Sequence, residues 1–186
     1  MYLIKKGCAN MLKIWLGNLG KYNEGELVGD WFELPIDDIE EALASIGVSD
    51  EPDENGNIYE EYHICDYETN IEGLTVDRYD SLQRLNEIAE TLEDIEAKND
   101  LNCFNAILEA LGSNRFEEAL EYYESGRYIY YGDVEPDDYG REMLFSCASI
   151  PDWLESELDN YFDFEAYGES LLYDFTNTST GYILLQ

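Results

Sequence analysis

Between Tyr22 and Asp77 the chain runs for 56 residues without one Lys or Arg, and that stretch carries 18 Asp and Glu. The acids are interleaved with strand-like and helix-like apolar runs rather than gathered in a low-complexity tail. Like charges repel, and an acidic folded surface normally carries some cations to offset them. Something must reward the arrangement, and the rest of the chain repeats it.

No acid precedes Tyr22, whereas Lys5, Lys6, Lys13 and Lys21 do. The whole chain holds 43 acids and 10 bases, a formal charge of -33. From Tyr22 onward six bases face all 43 acids, a balance of -37. With 45% hydrophobic residues and 16 tyrosines, this is not a disordered acidic polypeptide, which would be poor in aromatics. The field excludes DNA, RNA and anionic membranes as partners. It attracts cations, basic proteins, or proteins that normally bind nucleic acid. High solubility alone is the plain alternative. Duplex DNA carries one charge per roughly 1.7 Å of axis, so this balance matches roughly 60 Å of duplex. Small domains in tandem could be drawn out that far, whereas a sphere of 186 residues could not.

The pattern predicts an α+β chain: an elongated tandem of three small domains behind a basic extension, residues 1–10. Residues 11–73 read as a small antiparallel sheet with a helix. Its strands are Leu12 to Leu16, Val28 to Leu34 (stopped by Pro35) and Ile58 to Tyr67, and turns are expected at Asn18-Leu19-Gly20 and Asn23-Glu24-Gly25. Asp37 or Asp38 caps a helix through Ile39, Leu43 and Ile46, with Gly47 at its end. Residues 74–113 read as a helical hairpin or small bundle. Leu82, Leu85, Ile88, Ala89, Leu92 and Ile95 recur at helical spacing, as do Leu101, Phe104, Ile107, Leu108 and Leu111. Glu87, Glu90 and Asp94 lie three and four apart, where like charges cost a few tenths of a kcal/mol per pair.

Residues 114–186 read as a mixed α+β segment. Asn114 and Glu117 suggest a capped helix carrying Phe116, Leu120 and Tyr123 and ended by Gly126. A Tyr-rich strand follows, Tyr128 to Val134. Pro136 and Asp137 open a helix with Tyr139, Leu144, Phe145 and Ala148, and Pro151 opens another with Trp153, Leu154 and Leu158. Tyr182 to Leu185 closes the chain as a strand.

No catalytic constellation stands out. Among 43 carboxylates, pairs at almost any spacing arise by chance. His63, the single histidine, sits in a strand pattern as a structural or surface residue. Cys8, Cys65, Cys103 and Cys147 form no C-x-x-C pair and read as small buried hydrophobes, reduced thiols of a cytoplasmic protein. Gly17-Asn18-Leu19-Gly20-Lys21-Tyr22 fails as a phosphate loop, because the leading Gly is too close and Tyr22 replaces the magnesium-binding Ser/Thr. Glu51 to Ile58 matches the front of a calcium loop, but Tyr62 stands where a bidentate Glu is needed and Pro52 interrupts the entry. No apolar run approaches the length of a membrane span, and Met1 to Leu19 lacks the features of a signal peptide. Met11 is a candidate start for the folded part. No cofactor or metal is expected.

Asn18-Leu19-Gly20-Lys21-Tyr22-Asn23-Glu24-Gly25-Glu26-Leu27-Val28-Gly29, followed by Trp31-Phe32, resembles the opening signature of ArdA-type antirestriction proteins. Asp66-Tyr67-Glu68, Tyr139-Gly140-Arg141-Glu142 and Glu165-Ala166-Tyr167-Gly168 fall in the order that family would give, so that the resemblance covers about residues 11–186. It implies a non-enzymatic mimic of bent B-form DNA, dimeric through its C-terminal domain. Such a protein occupies the DNA-binding groove of type I restriction-modification enzymes, on their specificity and methyltransferase subunits. It is carried on mobile elements and acts in the bacterial cytoplasm. The antirestriction segment implied here comprises Glu117, Glu118, Glu121, Glu124, Asp133, Glu135, Asp137, Asp138 and Glu142, each by itself an ordinary solvated acid. The chain departs from the family in its basic extension, in a longer loop from Ser49 to Asn57, and in Glu169-Ser170-Leu171 where Arg-Asp-Leu is expected. Two other classes fit the charge: a general acidic module that decoys basic DNA-binding proteins, and a salt-adapted hydrolase.

Overall fold

The structure, a computed structural model, describes residues 11–112, 114–147 and 150–186. The extension 1–10, with Lys5, Lys6 and Cys8, lies outside the described residues, as does Ala148. Among the described residues, eight helices and two small antiparallel sheets make a mixed α+β protein. The chain divides between Leu101 and Asn102 into two compact units.

The first unit opens with β1 (Leu12–Asn18), followed by α1 (Leu19–Asn23), β2 (Gly29–Glu33), α2 (Ile39–Ser45), β3 (Tyr62–Thr69) and α3 (Leu82–Ala97). Its sheet has the order β2-β1-β3, with both pairings antiparallel. Strand alternation sends Leu12, Ile14 and Leu16 of the central strand inward and leaves Lys13 and Trp15 on the outer face. Between β1 and β3 the register slips: Trp15 faces Asp66 and Leu16 faces Ile64, which leaves Cys65 as a bulge. Helix α2 starts where Asp38 accepts the Glu41 N–H at 2.9 Å, and Gly47 follows it at φ 73°. Helix α3 buries the apolar stripe that its spacing dictates, Leu82, Leu85, Ile88, Ala89, Leu92 and Ile95. Its Asn86 side chain brackets Ile36, accepting its N–H at 2.9 Å and donating to its carbonyl at 2.8 Å.

The second unit holds α4 (Leu101–Leu111), α5 (Phe116–Ser125), β4 (Tyr128–Tyr131), α6 (Pro136–Cys147), α7 (Asp152–Tyr161), α8 (Phe164–Leu171), β5 (Thr176–Thr178) and β6 (Gly181–Leu185). Its sheet has the order β4-β6-β5. Helix α4 is buried over six consecutive positions, Cys103 to Leu108, so it forms the centre of the unit rather than one side of it. Phe104 meets Phe116 at 5.3 Å and Tyr123 at 5.9 Å, and Tyr131 packs between Tyr139 and Phe175. Many of the tyrosines are thus packed rings rather than surface. The β5–β6 turn is tied to α4: the Glu109 carboxylate accepts the Ser179 N–H and hydroxyl, each at 2.8 Å, and the Thr180 hydroxyl donates to the Asn102 carbonyl.

Several local expectations change. Asn18 to Gly20 is not a turn but the cap and first residues of α1, because the Asn18 side chain accepts the Lys21 N–H at 2.9 Å. Ile58 to Glu61 do not belong to β3; only Tyr59 pairs, in an isolated bridge to Ser49. The strand after α5 stops at Tyr131 rather than Val134. Arg115, not Asn114, holds the N-cap position of α5, and Asn114 precedes it with a left-handed φ of 65°. Helix α8 and strand β5 are elements that the pattern reading lacked.

A candidate acidic interaction surface

The acids take their places from helix periodicity. On α5, Phe116 and Ala119 are buried, with Leu120 and Tyr123 half-buried beside them. The opposite face carries Glu117, Glu121 and Glu124, all exposed, at spacings of four and three. That sets roughly one carboxylate per 5 Å of helix axis. Glu118 is half-buried and paired with Arg115. Asp133 and Glu135 are exposed in the connection from β4 to α6, and Asp137, Asp138 and Glu142 are exposed on α6. The nine expected acids therefore fall on two helices and one connection of the second unit, and eight of them are exposed.

Not all of them need a partner to explain them. Glu117 and Glu118 lie in the first turn of α5, and Asp137 and Asp138 in the first turn of α6. An acid there is worth roughly 0.3–1 kcal/mol against the helix dipole. Glu124, Asp133 and Glu142 have no such local reward, and Glu121 has Arg127 in place of a helix N-terminus. In the first unit, α3 presents a second stripe, Glu87, Glu90 and Asp94, all exposed on the face away from its buried residues.

Among the described residues, the cations are held by the chain itself. Lys21 lies 3.5 Å from both Glu24 and Glu26 and 4.7 Å above the Tyr59 ring. Lys13 meets Glu68 and the Trp31 ring, Arg84 meets Asp80, and Arg127 meets Glu121 and the Tyr122 ring. Arg141 pairs with Asp159 and lies 4.3 Å from the Phe164 ring centre. Asp159, and at longer range Asp137 and Asp138, hold its guanidinium above the ordinary arginine range. Such exposed pairs add little stability. Their consequence is electrostatic: cations that bond to the chain's own acids and rings leave the remaining carboxylates as the outward charge.

The short motifs turn out to be architectural. Asn18 is buried; besides capping α1, its amide donates to the carbonyls of Ile46 and Gly47 at 3.3 and 2.9 Å. A Cβ on Gly29 would lie 2.2 Å from the Leu16 carbonyl oxygen, and one on Gly20 would lie 2.4 Å from the Tyr59 ring. The Tyr59 hydroxyl donates to the Glu24 carboxylate at about 2.9 Å. The two later motifs meet: a Cβ on Gly140 would lie 2.4 Å from the Phe164 carbonyl oxygen, and one on Gly168 would lie 1.8 Å from that of Pro136. Helices α6 and α8 cross backbone to backbone at these two glycines.

The first unit also contains a cavity of about 490 Å3, lined by Tyr22, His63, Cys65 and Arg78 among others. His63 is fully buried, and its Nε2 lies 2.8 Å from Cys65 Sγ. Burial, then the nearby Arg78 charge, lowers the pKa of His63, and partial desolvation of the sulfur raises that of the Cys65 thiol against the opposing Arg78 charge. Cys103 is buried as expected, but Cys65 is exposed, because the bulge turns it out of the ladder. The loop read as a calcium near-miss closes on itself: one Asp53 carboxylate oxygen accepts the N–H groups of Asn55 and Asn57, each at 2.8 Å. Those bonds hold its pKa below the ordinary value. No helix among the described residues is long and apolar enough to cross a membrane.

A search of curated proteins returns no match. A family model described as Antirestriction protein (ArdA) matches residues 14–184 of the chain.

Proposed function

The chain belongs to the ArdA antirestriction family, and on that premise we propose that it is an acidic mimic of bent B-form DNA. It occupies the DNA-binding groove of type I restriction-modification enzymes, on their specificity and methyltransferase subunits, and blocks cleavage, the methylation assay below deciding whether modification is blocked with it. The family is one of antirestriction proteins, and the proposed role is non-enzymatic. The observation that carries the reading is the pairing of exposed acid stripes with cations held by the chain itself: Glu117, Glu121 and Glu124 on α5, Glu87, Glu90 and Asp94 on α3. Carboxylates at that spacing stand in for phosphates to a protein whose channel is built of Lys and Arg.

In this reading residues 11–73, 74–113 and 114–186 act as successive acidic segments in the bacterial cytoplasm. The acids from Glu117 to Glu142 make the decisive contacts, and the C-terminal segment pairs two copies. The exposure of Trp153 (72%), Tyr161 (84%) and Tyr173 (86%) in that segment supports the pairing, because large exposed aromatics favour an interface.

The test is DNA cleavage and methylation by a purified type I enzyme, with the protein added at rising salt. Inhibition at micromolar protein that fades steeply with salt is expected; its absence at moderate salt sinks the proposal for that enzyme. Pulldown from a bacterial lysate separates the second reading. A single restriction-methylation complex supports mimicry of one target, and a spread of basic proteins supports a general acidic decoy.

A further inference from the structure

We propose that His63 and Cys65 form a two-ligand site for a soft monovalent d10 cation, Cu(I) or Ag(I), at the wall of the cavity in the first unit. The two residues lie two apart on β3, with Nε2 2.8 Å from Sγ. His63 is 0% exposed, and its other nitrogen, Nδ1, is buried without a hydrogen-bond partner. With Nδ1 unpartnered, Nε2 is the imidazole nitrogen that the fold turns to another group, and that group is the Cys65 thiol. The imidazole meets the Tyr22 ring edge-on at 5.1 Å and turns Nε2 to the Cys65 sulfur, so the ring is held in one orientation with its second nitrogen unpartnered.

The ligand set selects the ion. A thiolate and an imidazole are soft donors. Among the described residues no group of three or more His, Cys, Asp or Glu comes together to hold a metal. The site therefore suits an ion content with two protein ligands in a line, as d10 monovalent ions are, rather than the four that Zn2+ takes. Charge balance points the same way. Binding exchanges the thiol proton for the ion: the S–H bond breaks, an S–metal bond forms, and one proton leaves to solvent. With a monovalent ion the net charge beside Arg78, which lines the same cavity, does not change; a divalent ion would add one positive charge next to the guanidinium.

Seating the ion requires Sγ and Nε2 to part to roughly 4 Å, the sum of a metal–sulfur and a metal–nitrogen bond. The bulge supplies that freedom, because Cys65 has no partner in the β1–β3 ladder and its side chain is exposed.

The single histidine makes the test specific, because its imidazole nitrogens give one pair of NMR signals. The 15N-labelled full chain is titrated with silver nitrate in chloride-free buffer, up to four equivalents, one for each Cys in the chain. The expected result is a shift of the Nε2 signal within that range. In Cys65→Ser the shift is lost at three equivalents while the backbone spectrum stays that of the folded chain. Unmoved imidazole signals in the unsubstituted chain, or an equal shift in Cys65→Ser, overturn the site. Zn2+ in place of silver is expected to leave the imidazole unmoved at the same concentrations; a shift as complete as with silver would overturn the monovalent assignment.

Discussion

Two regions of the chain use their distinctive residues in opposite directions. Around Asn18, the distinctive residues face inward. A buried amide ties α1 to the end of α2, and glycines at 20 and 29 admit an aromatic ring and a strand carbonyl. From Glu117 to Glu142, the distinctive residues face outward, and few touch anything the fold depends on. The first set is irreplaceable residue by residue. The second, in the proposed reading, acts as a sum, in which one carboxylate can stand in for another. A sequence signature and a candidate functional surface need not coincide, and here the more specific of the two is the architectural one.

That contrast predicts a graded series, from changes that break the fold to changes that leave it untouched. Gly168→Ala should be the most damaging, because the new Cβ would lie 1.8 Å from the Pro136 carbonyl oxygen. Overpacking of this kind costs about 3 kcal/mol, more than the roughly 1 kcal/mol that Ala gains over Gly in a helix. Urea denaturation should show the loss, and an unchanged midpoint would mean that α6 and α8 can part freely. Asn18→Ala should cost about 2 kcal/mol, since it removes the cap of α1 and strips a donor from the Ile46 and Gly47 carbonyls. Asn18→Asp restores the cap alone and should recover only part of it.

The outward set should behave in reverse. Glu121→Gln, Glu124→Gln and Glu142→Gln together should shift stability by no more than about 0.5 kcal/mol per site. The same triple variant should weaken inhibition of the type I enzyme and lower its salt slope by up to about one per carboxylate removed. If the equivalent triple on α3, Glu87→Gln, Glu90→Gln and Asp94→Gln, weakens inhibition as much, the segment from Glu117 to Glu142 has no special role. The smallest effect is expected at Asp53. Its folded pKa is depressed, so the bonds to Asn55 and Asn57 contribute fully above the ordinary carboxylate value of about 3.9 and are lost as pH falls through the lower folded value. NMR titration of that loop should show the late protonation, and millimolar calcium should leave its amide signals in place, since Asp53 is already occupied.

Where one periodicity dominated, the fold was legible in the sequence. The stripe from Leu82 to Ile95 and the cap at Asp38 appear where spacing and capping chemistry put them. Helix α8 was missed although Asp163 caps it, accepting the Ala166 N–H at 2.9 Å, because Gly168 and the short apolar stripe around it weaken a helical pattern. The start of β3 was misplaced because Ile58 and Tyr59 are apolar and β-prone, whereas Tyr59 is spent on Glu24 and on the space above Gly20. For the candidate surface, exposure of the acids was legible from the helical faces. Their separation into acids rewarded by a helix dipole and acids without local reward needed the helix starts, and the exposure of Cys65 needed the bulge.

The capture of Lys13, Lys21, Arg84, Arg115, Arg127 and Arg141 by the chain's own acids and rings has a thermodynamic corollary. A surface whose fixed cations are spent internally must draw its neutralising ions from the solution, as a nucleic acid does. Each molecule then carries a mobile atmosphere of sodium, magnesium or polyamine. A basic partner that docks on it displaces that atmosphere, and the gain in ion entropy drives association. On this account the protein competes with DNA using the same solvent ions that drive the binding of DNA itself. Multivalent cations, which are held most tightly, should then weaken its binding at lower concentrations than sodium does.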